Sequence, residues 1–136
     1  MISEKLFLVE DNDDVREVFA MILSAHGYDV VECPNGSSAV QQARQIRPTV
    51  GIVDVGLPDI DGYQVAAEIR KIERELALPP SILVALTGHG GAPSRRQAYE
   101  AGFDLHFAKP VELKTICAEI KNLQNAAQFN NQRKAA

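Results

Sequence analysis

The chain has 136 residues, 46% of them hydrophobic and 24% charged, which is enough apolar material for one domain with a sizeable core. A net charge of −4 with scattered basic residues excludes the electrostatic footprint of a nucleic-acid binder, and no apolar stretch approaches the roughly 18 residues of a membrane span. Two cysteines, Cys33 and Cys117, exclude a disulfide framework; with no signal-peptide pattern at the N-terminus, the expected setting is reducing and cytoplasmic.

Residues 5–9 form a short apolar run that ends in Glu10-Asp11-Asn12-Asp13-Asp14. Val15, Val18, Phe19, Ile22 and Leu23 then recur at helical spacing, with Gly27 as a C-terminal cap. Residues 28–32 read as a second strand, and Ala39, Val40, Ala43 and Ile46 mark a helix that must stop before Pro48. The β-branched run 50–54 is a third strand and terminates in Asp54. Val65, Ile69 and Ile72 give a third helix, closed by Pro79-Pro80. Residues 81–86 are uniformly apolar after Ser81, as expected of a strand covered on both faces. A loop through Gly88 to Gly91 leads to a helix from Pro93 or Ser94 to Ala101, a short strand at 104–108, and a last helix marked by Leu113, Ile116, Ile120 and Leu123. The amide-rich stretch 125–136 loses the apolar period and is expected to be frayed helix or disordered tail after a domain spanning 1–124.

Five strands alternating with five helices predict right-handed βαβ units, an α/β fold with a parallel sheet and helices on both faces. The C-terminal ends of such strands share one edge, where ligands bind. That edge receives Glu10 and Asp11, Asp54, Thr87 and Lys109. Two carboxylates about 4 Å apart repel by roughly 4 kcal/mol at an effective dielectric of 20, so three together capture protons or a cation, and hard oxygen ligands suit Mg²⁺. The first loop carries four acids in five residues, which repels a bare anion and argues against a nucleotide or flavin cradle. No phosphate-binding glycine motif is present either. A cation, a hydroxyl and an ammonium gathered around one carboxylate suit phosphoryl transfer onto it. Asp54 is then the nucleophile, Glu10 or Asp11 holds Mg²⁺ with it, and Lys109 pairs with Asp54 or its phosphoryl oxygens.

Glu10-Asp11, Asp54 with Leu57-Pro58 and Asp61-Gly62, Thr87-Gly88 and Lys109-Pro110 resemble the receiver domain of two-component response regulators. The resemblance covers about residues 5 to 124, and the wording around Asp54, Thr87 and Lys109 is most similar to receivers joined to hybrid sensor kinases. It implies a flavodoxin-like (βα)5 sandwich with strand order 2-1-3-4-5. It also implies that Asp54 accepts a phosphoryl group from a phosphohistidine on a histidine kinase or histidine phosphotransfer domain. Mg²⁺ (or Mn²⁺) would be held by Asp11, Asp54 and the backbone carbonyl of Gly56, with Glu10 acting largely through water. Thr87 and Lys109 would sense the phosphoryl group, and Lys109-Pro110 would be a cis peptide.

Some positions vary that pattern. His106 stands where many receivers carry Tyr or Phe as a rotating switch. Gly56 and His89, two residues beyond Asp54 and Thr87, are expected to flank the site entrance. The implied output face is the fourth helix, fifth strand and fifth helix, which a downstream protein would contact. No DNA-binding domain follows residue 124, so direct DNA binding is not expected, nor membrane insertion; the oligomeric state would be monomer or weak dimer. The chain would be a signalling phosphoacceptor rather than an enzyme, catalysing only its own phosphorylation and slow self-dephosphorylation. Two other classes stay open: a receiver-like scaffold that is not phosphorylated, and an Asp-nucleophile phosphatase. The latter wants a second acid two residues after the nucleophile, where Gly56 stands.

Overall fold

The computed structural model of the chain describes residues 4–88 and 92–135, with side chains for all of these except 92, 93 and 128–135. The elements are β1 (Lys5–Val9), α1 (Asp13–Ala25), β2 (Asp29–Cys33), α2 (Gly36–Ile46), β3 (Val50–Asp54), α3 (Gly62–Glu75), β4 (Ile82–Thr87), α4 (Ala92–Ala101), β5 (Leu105–Ala108) and α5 (Leu113–Ala135). All strand pairs are parallel, in the order β2-β1-β3-β4-β5, so the expected flavodoxin-like (βα)5 sheet forms.

Every residue of β3 is buried, because the central strand is covered from both sides. One apolar layer joins Phe7, Val9, Val53, Leu83 and Ala85 to α2, α3 and α4. The other joins Leu6, Leu8, Ile52, Val84 and Leu86 to α1 and α5. Neighbouring residues of one strand thus feed opposite layers. Helix starts are set by short polar side chains that accept from the first-turn amides: Asn12 from Val15, Asn35 from Ser38 and Asp61 from Gln64.

Strand boundaries move by one residue where a side chain or a helix end claims the backbone. Ser81, expected to open the fourth strand, instead gives its amide and hydroxyl to Glu73 Oε2 at 2.8 and 2.6 Å. The Tyr28 amide donates to Leu23 O and closes α1, so β2 begins at Asp29. The apolar stripe of α1 is wider than the face the sheet covers. Leu23 is buried, but Val18 is 53% and Met21 74% exposed. The last helix continues to Ala135, beyond Leu123 where its apolar period ends.

Candidate phosphoacceptor site

The sheet brings the sequence-predicted carboxylates, hydroxyl and ammonium to one edge. β3 ends at Asp54, which is buried; its Oδ1 accepts the Gly56 amide at 2.9 Å and its Oδ2 accepts Lys109 Nζ at 2.9 Å. Lys109 Nζ also lies 3.4 Å from Glu10 Oε1. Glu10 is buried at the end of β1, and its Oε2 takes the Asn12 amide at 3.4 Å. Glu10, Asp11 and Asp54 each offer a carboxylate oxygen within 4.8 Å of the others. Three oxygen donors so close, one of them exposed on Asp11, fit a hard divalent cation that keeps some of its water.

Burial, and then the nearby Asp54, push the Glu10 carboxyl up to about 7. Burial also opposes ionisation of Asp54, but hydrogen bonds with Glu10, Lys109 and the Gly56 amide outweigh it and hold this carboxyl below its ordinary value. Lys109 shows the same contest, since burial works against its charge while Asp54 and Glu10 raise its pKa. Of the two carboxyls, Asp54 is the one whose surroundings favour the ionised form.

The backbone around Asp54 is confined. The chain turns back so closely that a Cβ at Gly62 would lie 2.7 Å from Val55 Cα and 2.8 Å from Asp54 O, so only glycine fits. At Gly56 the space is open: a Cβ there would meet nothing nearer than Asp54 Oδ1 at 3.7 Å. Gly56, expected at the entrance, lies against the Asp54 carboxylate through its amide. His89, expected beside it, lies outside the described residues. At the end of β4, Thr87 Oγ1 lies 3.1 Å from His106 Nε2. The Lys109–Pro110 peptide is cis, as the resemblance implied.

The sequence matches the response regulator receiver domain over residues 6–121. The chain belongs to the response regulator receiver family. This receiver is 34% identical over 119 residues to a probable transcriptional regulator, ycf27, of Galdieria sulphuraria, covering 88% of this chain and 44% of that protein. It is 32% identical over 124 residues to the transcriptional regulatory protein CreB of Escherichia coli, covering 90% and 52%. It thus spans about half the length of these relatives. Among solved structures, a putative response regulator from Chloroflexus aurantiacus superposes with a TM-score of 0.78 at 32% identity, covering 89% of this chain and 97% of the other. The receiver domain of a sensor histidine kinase from Pseudomonas aeruginosa superposes with a TM-score of 0.76 at 29% identity, covering 89% and 97%. That protein has a magnesium ion coordinated in its active-site cleft.

Two supports of the receiver site were not legible in the sequence. Arg16 donates to the Glu10 carbonyl at 2.9 Å and to Asp13 Oδ1 at 2.6 Å, and its Nε lies 3.5 Å from Glu32. It ties the acid-bearing loop to α1 and β2. Asp59 accepts the Gly36 and Ser37 amides at 3.0 and 2.9 Å and the Ser37 hydroxyl at 2.7 Å. These hydrogen bonds with Ser37 and Gly36 hold its carboxyl well below the usual range and pin the loop after β3 to the start of α2. The only sequence signals were an arginine one turn into α1 and a Ser-rich helix start, both of which are common.

No helix among the described residues is long and apolar enough to cross a membrane.

Proposed function

We propose that this receiver is a phosphoacceptor of a two-component phosphorelay, taking a phosphoryl group from a phosphohistidine onto Asp54. The observation that carries this reading is the Asp54 carboxylate itself: buried, ionised, and met at once by the Lys109 ammonium and the Gly56 amide. An Asp54 oxygen attacks phosphorus as the donor's N–P bond breaks, and the released electron pair returns to the imidazole nitrogen, which takes up a proton. Lys109 offsets charge on the phosphoryl oxygens, and the Thr87 hydroxyl donates to one of them. Asp11, Asp54 and the Gly56 carbonyl, with Glu10 through water, would hold Mg²⁺ or Mn²⁺. The bound cation supplies positive charge to the phosphoryl oxygens.

The donor is a histidine kinase or a histidine phosphotransfer domain. An apolar groove of about 480 Å³, lined by Val15, Phe19, Pro110 and Val111, opens beside Lys109 and gives such a partner a surface next to the acceptor. The added charge then moves Thr87 and His106 and alters the α4–β5–α5 face, where a downstream protein binds. The domain acts in the cytoplasm, as a monomer or weak dimer, without contacting DNA itself. It works on no outside substrate: the position two residues beyond Asp54 is Gly56, so no side chain there serves as the general acid of a phosphatase.

Incubation with phosphoramidate and Mg²⁺ followed by intact-mass measurement tests this reading. One added phosphoryl group, absent in Asp54→Asn, is the expected result; a wild-type chain that gains none from any donor overturns it in favour of a scaffold.

A further inference from the structure

The side chain that meets Thr87 is a histidine, and the contact has a consequence for where one proton sits. Along β5, Leu105 and Phe107 pack into the α1–α5 layer, so strand alternation turns His106 to the α4 side, opposite Ala85 in register. There its Nε2 approaches Thr87 Oγ1 at 3.1 Å. A hydroxyl has one proton, and in a hydroxyl–imidazole contact one partner must donate. If Nε2 is bare, the Thr87 proton goes to the ring. If Nε2 carries a proton, Thr87 accepts, and its own proton is turned elsewhere.

Resting on the phosphoacceptor reading above, we propose that His106 is a positioning residue acting through Thr87. Its neutral ring holds the Thr87 hydroxyl proton, and its protonated ring releases that proton to a phosphoryl oxygen on Asp54. Retention of the phosphoryl group therefore rises as pH falls.

The surroundings of the ring favour this assignment. β4 brings no ionisable side chain to it, and β5 brings no second one. From α4, Arg95 acts on it. Burial, and then Arg95, lower the His106 pKa below 6.5, while a backbone hydrogen bond within His106 works the other way. The ring is thus neutral at neutral pH. With Nε2 turned to Thr87, the backbone contact falls to Nδ1, and a proton there leaves Nε2 bare. Linkage then runs both ways: protonation favours the phosphoryl contact, and the phosphoryl group raises the His106 pKa.

The test loads the full chain with phosphoramidate and Mg²⁺, removes the donor, and follows loss of the phosphoryl group by intact mass from about pH 5.5 to about pH 8. The lifetime of wild type divided by that of His106→Phe is expected to grow about three- to tenfold from the alkaline to the acid end. His106→Gln, whose amide N–H donates at every pH, should give a flat profile and covers the case in which the phenylalanine variant does not fold. A wild-type to variant ratio that stays constant with pH overturns the proposal. So does a ¹⁵N titration of the unphosphorylated chain that finds the neutral ring protonated on Nε2. A wild-type chain that cannot be loaded overturns the phosphoacceptor reading itself, whereas one that loads but is flat with pH overturns only the role of His106.

Discussion

Glu10 and Asp54 meet as a pair of buried carboxyls at the ends of adjacent strands, and Lys109 Nζ reaches both, at 3.4 and 2.9 Å. One ammonium does not neutralise two carboxylates, so the pair keeps a proton on Glu10.

This has a stability consequence. Glu10 titrates at about 7 in the folded chain against an ordinary 4.5, so between those values the folded state holds a proton that the unfolded state has released. Stability from this group is present below the unfolded value and falls as pH rises through the folded one, by about 3 kcal/mol. Glu10→Gln removes that titration. Without divalent cations, its melting temperature should fall less than that of wild type between about pH 5 and about pH 8, as followed by circular dichroism. Parallel pH profiles for the two proteins would count against the shared proton.

Gly56 puts no side chain beside the Asp54 carboxylate. The Cβ of Gly56→Asn would lie 3.7 Å from Asp54 Oδ1 and meet nothing else within 4 Å, so the variant adds a side chain next to the acceptor. The phosphorylated variant is expected to lose its phosphoryl group about two- to tenfold more slowly, because water is excluded from the acyl phosphate. Equal decay rates by intact mass would reject this.

Arg16 donates to none of the three carboxylates of the candidate cation site, yet its guanidinium grips the backbone carbonyl of Glu10, the residue before Asp11, at 2.9 Å. Removing such an outer support weakens metal binding by about tenfold in well-studied sites. Arg16→Ala should therefore show an Mg²⁺ dissociation constant raised about three- to tenfold by calorimetry, with the fold intact. Arg16→Lys should recover only part of this, since a point charge cannot bridge Glu10, Asp13 and Glu32 together. Unchanged Mg²⁺ affinity in both variants would confine Arg16 to a structural role.

Arg70 clamps the opposite end of the sheet. It donates to Glu73, to the Ser81 and Gly102 carbonyls, and to Asp104, which in turn accepts the Leu83 amide at 2.8 Å. Arg70→Ala leaves the buried Glu73 carboxylate without its counter-charge, and urea unfolding should show a loss of about 2–4 kcal/mol. Far from the acceptor edge, it should leave the chain able to take a phosphoryl group at low temperature.

The architecture and most of the site could be read along the chain because each depends on local pattern. The apolar run 50–54 ends in an acid, Thr87 and Lys109 follow their own apolar runs, and Asn12, Asn35 and Asp61 stand where helix starts need an acceptor. In a parallel sheet these ends must share an edge, so a pattern along the chain becomes a place in space. The misjudged boundaries fall where a distant partner intervenes. Ser81 looked like the first residue of a strand until Glu73, eight residues earlier, took its amide. Val18 fits the helical period of α1 yet stays 53% exposed, because periodicity gives the width of an apolar stripe and not how much of it the sheet covers.

By itself, the sequence determined the element order, the parallel sheet and the set of groups gathered at its edge, since these follow from residue spacing and from the handedness of βαβ connections. Only the tertiary structure decided which carboxyl keeps the proton, which hydroxyl faces His106, and which supports hold the acid loop. Those depend on burial and on contacts of 2.6 to 3.4 Å between residues as far apart in the chain as Glu10 and Lys109. Charge is redistributed by distance and desolvation, and neither quantity is written along a chain.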